Sequence, residues 1–145
     1  MAPRTNTRQH YRQPCYCWFF MAHKVVIMLL NATPEVPATL GAPFFQATVA
    51  AAMDLEVEIY FAARTATLLN KGVAEKLFPG REQSKSIYDF MRDAHRAGAR
   101  FYLCGGAMKE HGITEETAIP ELDGVRGGAA FIGEAVADGV LTLTY

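Results

Sequence analysis

A chain of 145 residues is long enough to bury one substantial core and too short for two ordinary domains. Its 14 Lys and Arg stand against 15 Asp and Glu, a formal net charge of −1, which supplies neither the basic field that recruits nucleic acid nor the acidic excess of a disordered tail. The three cysteines, at 15, 17 and 104, are too few and too oddly spaced for a disulfide framework, so the composition points to a soluble globular protein of a reducing, cytoplasmic compartment.

The first residues carry Arg4, Arg8 and Arg12, followed by CYCWFFMAHKVVIMLL. This has the outline of a signal peptide, but His23 and Lys24 interrupt the apolar run, and cleavage after it would remove the best strand in the sequence. The run also falls short of the ~20 apolar residues of a membrane helix. Residues 1–22 are therefore read as an N-terminal extension, poorly ordered unless a partner pins it, and 23–145 as the folded domain. Cys15 and Cys17 with His10 and His23 make a poor metal site, because Cys-x-Cys is not a usual zinc pair and no second ligand pair accompanies it. A terminal thiol that resolves chemistry at Cys104 is the other reading of that pair. No metal or organic cofactor is expected.

From Lys24 the chain alternates apolar runs with helical stretches. KVVIMLL (24–30) is a continuous β-branched run, the pattern of a strand buried on both faces. NATPEVPATLGAP is a loop that lacks the glycines and lysine of a phosphate loop. A helix is expected from Pro43 to about Met53 with Phe44, Ala47 and Ala51 on its core stripe. LEVEIYFAA (55–63) alternates as a second strand, and TATLLNKG makes a short helix stopped by Gly72. SKSIYDFMRDAHRAG (84–98) is the clearest helix, with Ser84 or Ser86 as N-cap, Ile87, Phe90, Met91 and Ala94 on one face and Gly98 as the stop; His95 is one residue of that amphipathic helix. Residues 100–104 form the third strand and 107–111 a short helix ended by Gly112. The stretch from Ile113 holds a turn and a last helix. There Gly127 and Gly128 follow no strand and read as a helix-packing contact, and Glu115, Glu116, Glu121 and Asp123 read as a solvated acidic patch or a docking patch for a carrier protein. VLTLTY (140–145) closes the chain as a strand. Such alternation predicts a single-domain, three-layer α/β fold, a mainly parallel sheet of about five strands with helices on both faces.

In open parallel sheets chemistry collects beyond the carboxyl ends of the strands. Cys104 lies at such an end, and Asn31, Thr33 and Arg64 lie just past two others. If Cys104 caps the next helix, the amides of Gly106 and Ala107 face its sulfur and the helix dipole favours negative charge there, while Gly105 and Gly106 permit close backbone approach. Ala107 stands where a CxxC motif has its second cysteine, which excludes dithiol exchange within the loop. His111 is seven positions on, ~10 Å along a helix, too far to take the proton directly. On residue types alone a lone cysteine at a strand end is a small buried hydrophobe as readily as a nucleophile.

VEIYFAARTATLLNKGVAEKL, KSIYDFMRDAHRAGARFYLCGGAMKEHGI and GGAAFIGEAVADGVLTLTY, in this order and spacing, resemble the DsrE/DsrF-like sulfur-relay family over residues 24–145. In that family the active cysteine follows the central strand and precedes a short helix ending in a basic residue, Gly and Ile. Cys104 fills that position, with His111 where the basic residue stands. The resemblance implies a homotrimer or homohexamer whose Cys104 accepts sulfane sulfur as a persulfide and hands it to a partner thiol, on a sulfur-carrier or rhodanese-like protein. Arg64 is the expected source of added positive charge. Two alternatives stay open: a non-catalytic homo-oligomeric binding or regulatory module with an inert cysteine, and peroxide reduction by the same thiol, which lacks a resolving cysteine within the folded unit.

Overall fold

The computed structural model describes residues 22–145. Nine regular elements alternate in chain order: β1 (Lys24–Leu29), α1 (Gly41–Ala52), β2 (Glu56–Phe61), α2 (Ile87–Arg96), β3 (Arg100–Cys104), α3 (Gly105–Glu110), β4 (Leu122–Arg126), α4 (Gly128–Ala135) and β5 (Val140–Thr144). The expected short helix after β2 is a 3₁₀ segment, Ala63–Leu69. The strands form one sheet in the order β4-β3-β2-β1-β5, with every neighbouring pair parallel.

Handedness distributes the helices. From β1 to β2 to β3 the chain steps one way across the sheet, so right-handed crossovers place α1 and α2 on one face. From β4 it returns across the whole sheet to β5, and the same rule puts α4 on the opposite face. The α1/α2 face carries Val25, Ile27, Leu29, Val57, Ile59, Phe61, Phe101 and Leu103, buried against Phe44, Ala47, Ile87 and Met91. Phe44, Phe61 and Phe101 form its centre, with ring centroids 5.3 to 6.3 Å apart.

Ser86 caps α2 in a reciprocal box. Its hydroxyl accepts from the Asp89 N–H, and its own N–H donates to the Asp89 carboxylate at 3.1 Å. Replacing Ser86 by Ala should cost about 1 kcal/mol, read as a lower urea midpoint at unchanged m-value, whereas Ser84→Ala should change neither.

The stretch read as a turn before the last helix contains a fifth strand, β4. Leu122–Arg126 includes Asp and Gly, both depleted in strands, and a register shift opposite Phe101 and Tyr102 interrupts its alternation. Gly127 and Gly128 thus do follow a strand. Nothing lies within 4 Å of a Cβ placed on either, so they are no helix-packing contact; they turn the chain from β4 into α4. Asp123 is an exposed residue, as a surface patch requires, but its side chain is 15% exposed and held in place: it accepts from the Arg100 guanidinium and the Phe101 N–H at 2.8 Å each.

Candidate functional site

Strand parity assigns the second face of the sheet. Lys24, Val26 and Met28 of β1 stand in register with Glu56, Glu58 and Tyr60 of β2, Tyr60 with Tyr102 of β3, and Cys104 with Arg126 of β4. Among the described residues only α4 packs over this face, with Phe131 meeting the Tyr60 ring edge-on at 5.3 Å. Where β4 ends, the chain passes to that side while the preceding connections stay on the other, and a crevice opens beside β3. Cys104 sits there, partly exposed, at the carboxyl end of its strand.

Cys104, Met28, Tyr60, Ala62, Arg126, Gly127, Gly128 and Phe131 line a cavity of about 20 Å³. That is room for about one water-sized atom. Cys104 holds the N-cap position of α3, but the helix begins at Gly105 rather than Ala107, and the side chain takes no capping hydrogen bond. The alternation of β3 puts the side chain on the α4 face, where it lines the cavity.

Beneath the cavity lies a balanced charge network. The Lys24 ammonium donates to Glu58 at 2.9 Å and to Glu134 at 2.6 Å; the Tyr60 hydroxyl donates to Glu58 at 2.8 Å; the Arg126 guanidinium donates to Glu58 at 3.0 Å and to the Tyr60 oxygen at 3.1 Å, and stacks 3.7 Å over the Tyr102 ring. Two cations thus face Glu58 and Glu134, with the exposed Glu56 carboxylate 3.9 Å from the Lys24 ammonium. Burial pushes the Glu58 carboxyl up, but the hydrogen bonds from Lys24 and Tyr60 and the charges of Lys24 and Arg126 outweigh it and hold the group below its ordinary value. Burial pulls Lys24 down, yet its hydrogen bonds to Glu134 and Glu58 leave it above its ordinary value. Burial and the bond to Glu58 both raise the Tyr60 phenol.

The other sequence candidates fall around this crevice unevenly. A Cβ at Gly106 would stand 4.0 Å from the Cys104 sulfur, a Cβ at Gly105 would stand 3.5 Å from Val125, and Ala107 is buried. Arg64 is paired with Glu35 at 3.0 Å, is 69% exposed and is not among the cavity residues. Asn31 is exposed, its N–H bound to the Tyr145 carbonyl at 2.7 Å. Thr33 sits in the same loop and is half-buried. The His111 imidazole Nε2 lies 2.9 Å from the Ala63 carbonyl, tying the end of α3 to the loop after β2. Arg126 supplies the cation beside Cys104. Sequence reading missed it because β4 itself was missed; Lys24 and Glu58, charged positions of equal parity inside runs read as buried strands, were the available signal. Cys15, Cys17 and His10 lie outside the described residues, and among the described residues no three His, Cys, Asp or Glu side chains could hold a metal ion together.

A family model described as the DsrE/DsrF-like family matches residues 24–144. The chain belongs to the DsrE/DsrF-like family. Two solved structures share its fold: the ychN protein of E. coli, at 13% identity over 85% of this chain and 99% of that one with a TM-score of 0.61, and MTH1491 of Methanobacterium thermoautotrophicum, a protein of unknown function, at the same identity and coverage with a TM-score of 0.62. No curated protein matches the chain significantly. The DsrE/DsrF-like family is associated with sulfur relay and its members often form oligomers. Among the described residues no helix is long and apolar enough to cross a membrane.

Proposed function

We infer that this DsrE/DsrF-like chain is a single-sulfur carrier in a cytoplasmic relay, with Cys104 as the acceptor. The observation that carries this reading is the cavity Cys104 lines, which takes about one added atom. The Cys104 thiolate attacks the outer sulfur of a donor persulfide; that S–S bond breaks, the donor leaves as a thiolate, and Cys104 becomes a persulfide. A thiolate on a sulfur-carrier or rhodanese-like partner then attacks the same outer sulfur and returns Cys104 to the thiolate. Arg126, whose charge Glu58 already balances, packs one wall of the pocket and lends it only a weak positive field. Gly105, Gly106 and Ala107 let the chain turn close to the sulfur, while Asn31, Arg64 and His111 belong to the rim that a docking partner meets. No metal or organic cofactor takes part.

One observation favours the alternative of an inert binding module: the sulfur receives no capping hydrogen bond. Incubation of the chain carrying Cys15→Ser and Cys17→Ser, which leaves Cys104 as its one thiol, with a small-molecule persulfide decides between them. A carrier gains one sulfur, about 32 Da, that a reducing thiol removes, persulfidation being a reversible modification of the thiol. An inert module gains none.

The relay also needs an assembly, a homotrimer or homohexamer built on α4. This helix, GAAFIGEA, is apolar yet has no buried residue, and Ile132 and the adjoining Val136 are 56% and 75% exposed. Val136→Asp should therefore lower the sedimentation coefficient to that of a smaller species, while Glu110→Ala, on an exposed helix end, should leave it unchanged.

A further inference from the structure

The cavity beside Cys104 has walls of unequal kind. On the sheet side Tyr60 and Arg126 are fixed by their hydrogen bonds to Glu58 and to each other, and Met28 stands two strands away from Cys104. Gly127 and Gly128 bring no side chain. From α4 one large side chain reaches the cavity, that of Phe131, half-buried and in edge contact with the Tyr60 ring at 5.3 Å. Glu134 lies three residues on, on the same side of the helix, and accepts from the Lys24 ammonium at 2.6 Å. That bond ties α4 to the sheet where it presents Phe131.

We propose that Phe131 is the specificity-determining residue of the carrier, the wall that limits Cys104 to one added sulfur. This rests on Cys104 being the sulfur acceptor. The cavity of about 20 Å³ holds about one atom, and each further sulfur lengthens the chain by an S–S bond of ~2.05 Å. A second sulfur inside the cavity therefore has to displace a wall, and Phe131 is the large one that the Glu58 network does not hold. The discrimination is between products of one attack. When the Cys104 thiolate attacks the end sulfur of an inorganic tetrasulfide, the new bond leaves a persulfide and a three-sulfur dianion departs. Attack one atom further in leaves two sulfurs on Cys104 and releases a two-sulfur dianion. Phe131 admits the first product and excludes the second.

The test uses the full chain with Cys15→Ser and Cys17→Ser, in which Cys104 is the one thiol, treated with inorganic polysulfide, freed of it and weighed intact. This parent should gain about 32 Da, and the same chain with Phe131→Ala about 64 Da or more, a difference of whole sulfur atoms. Alanine suits a helix better than phenylalanine, so circular dichroism should be unchanged. Phe131→Leu, which keeps an apolar contact but loses the ring, should show both species, and it decides the matter if the alanine variant does not fold. Ile132→Ala, at an exposed position of the same helix, should stay at one sulfur. A Phe131→Ala chain that still stops at one sulfur overturns the proposal and leaves the carrier reading standing. A second sulfur on Ile132→Ala assigns the limit to the seating of α4 as a whole and overturns it. So does a parent that already carries two, because its sulfur chain then runs past Phe131 to solvent. A parent that gains none defeats the carrier reading and this proposal with it.

Discussion

Cys104→Ser should abolish sulfur loading, whereas the double change of Cys15 and Cys17 to Ser should leave it at one sulfur per chain. Hydroxyl for thiol removes the polarizable nucleophile and alters side-chain volume little, so the substitution should cost less than about 1.5 kcal/mol and preserve the fold and assembly. Intact-mass measurement after persulfide treatment, with sedimentation on the same samples, reads both halves. Loading that survives Cys104→Ser would move the chemistry to the N-terminal pair. A variant that unfolds would instead assign Cys104 a packing role.

Glu58→Ala produces the largest expected loss of stability. Glu58 is 8% exposed and is the acceptor shared by Lys24, Tyr60 and Arg126, so its removal leaves Arg126 with no carboxylate, the Tyr60 hydroxyl with no acceptor and the buried Lys24 with Glu134 as its one close partner. Breaking a buried pair from one side costs about 3–5 kcal/mol. For a domain of this size that is a fall in Tm of roughly 10–20 °C. Glu56→Ala, which removes an exposed carboxylate 3.9 Å from the same ammonium, should cost under about 1 kcal/mol.

The same network sets a pH window. Glu58 titrates below its ordinary 4.5 in the folded state, so its stabilisation is present above that value and lost as pH falls through the folded one. Lys24 titrates above its ordinary 10.5, so its contribution is present below that value and lost as pH rises through the folded one. Urea midpoints across pH should form a plateau bounded by these two losses, and Glu58→Ala should flatten both limbs. An unchanged acid limb in that variant would show that Glu58 carries none of the linkage.

The core was readable because its pattern is redundant. KVVIMLL, EVEIYF and RFYLC are dense in β-branched and aromatic residues, and α2 combines a cap, a clean apolar face and a terminal glycine, so local and tertiary preferences agree. The place of Cys104, at the carboxyl end of a parallel strand, followed from the same regularity. LDGVR carries no such signal: only its pairing with β3 makes it a strand, and Arg126 went unseen with it. Arg64 looked the better cation because it stands just past a strand end, but the loop after β1 offers it Glu35. Charge partners across separate loops leave no trace in sequence spacing.

The most direct measurement follows one sulfur through a single turnover. The native chain is loaded with a small-molecule persulfide, freed of donor and exposed to a thiol acceptor, with peptide mapping before and after. The added sulfur should be found on the peptide containing Cys104, at one per chain, and then on the acceptor, leaving Cys104 as free thiol. Sulfur mapped to Cys15 or Cys17, or a Cys104 that takes none up or never releases it, would contradict the carrier reading.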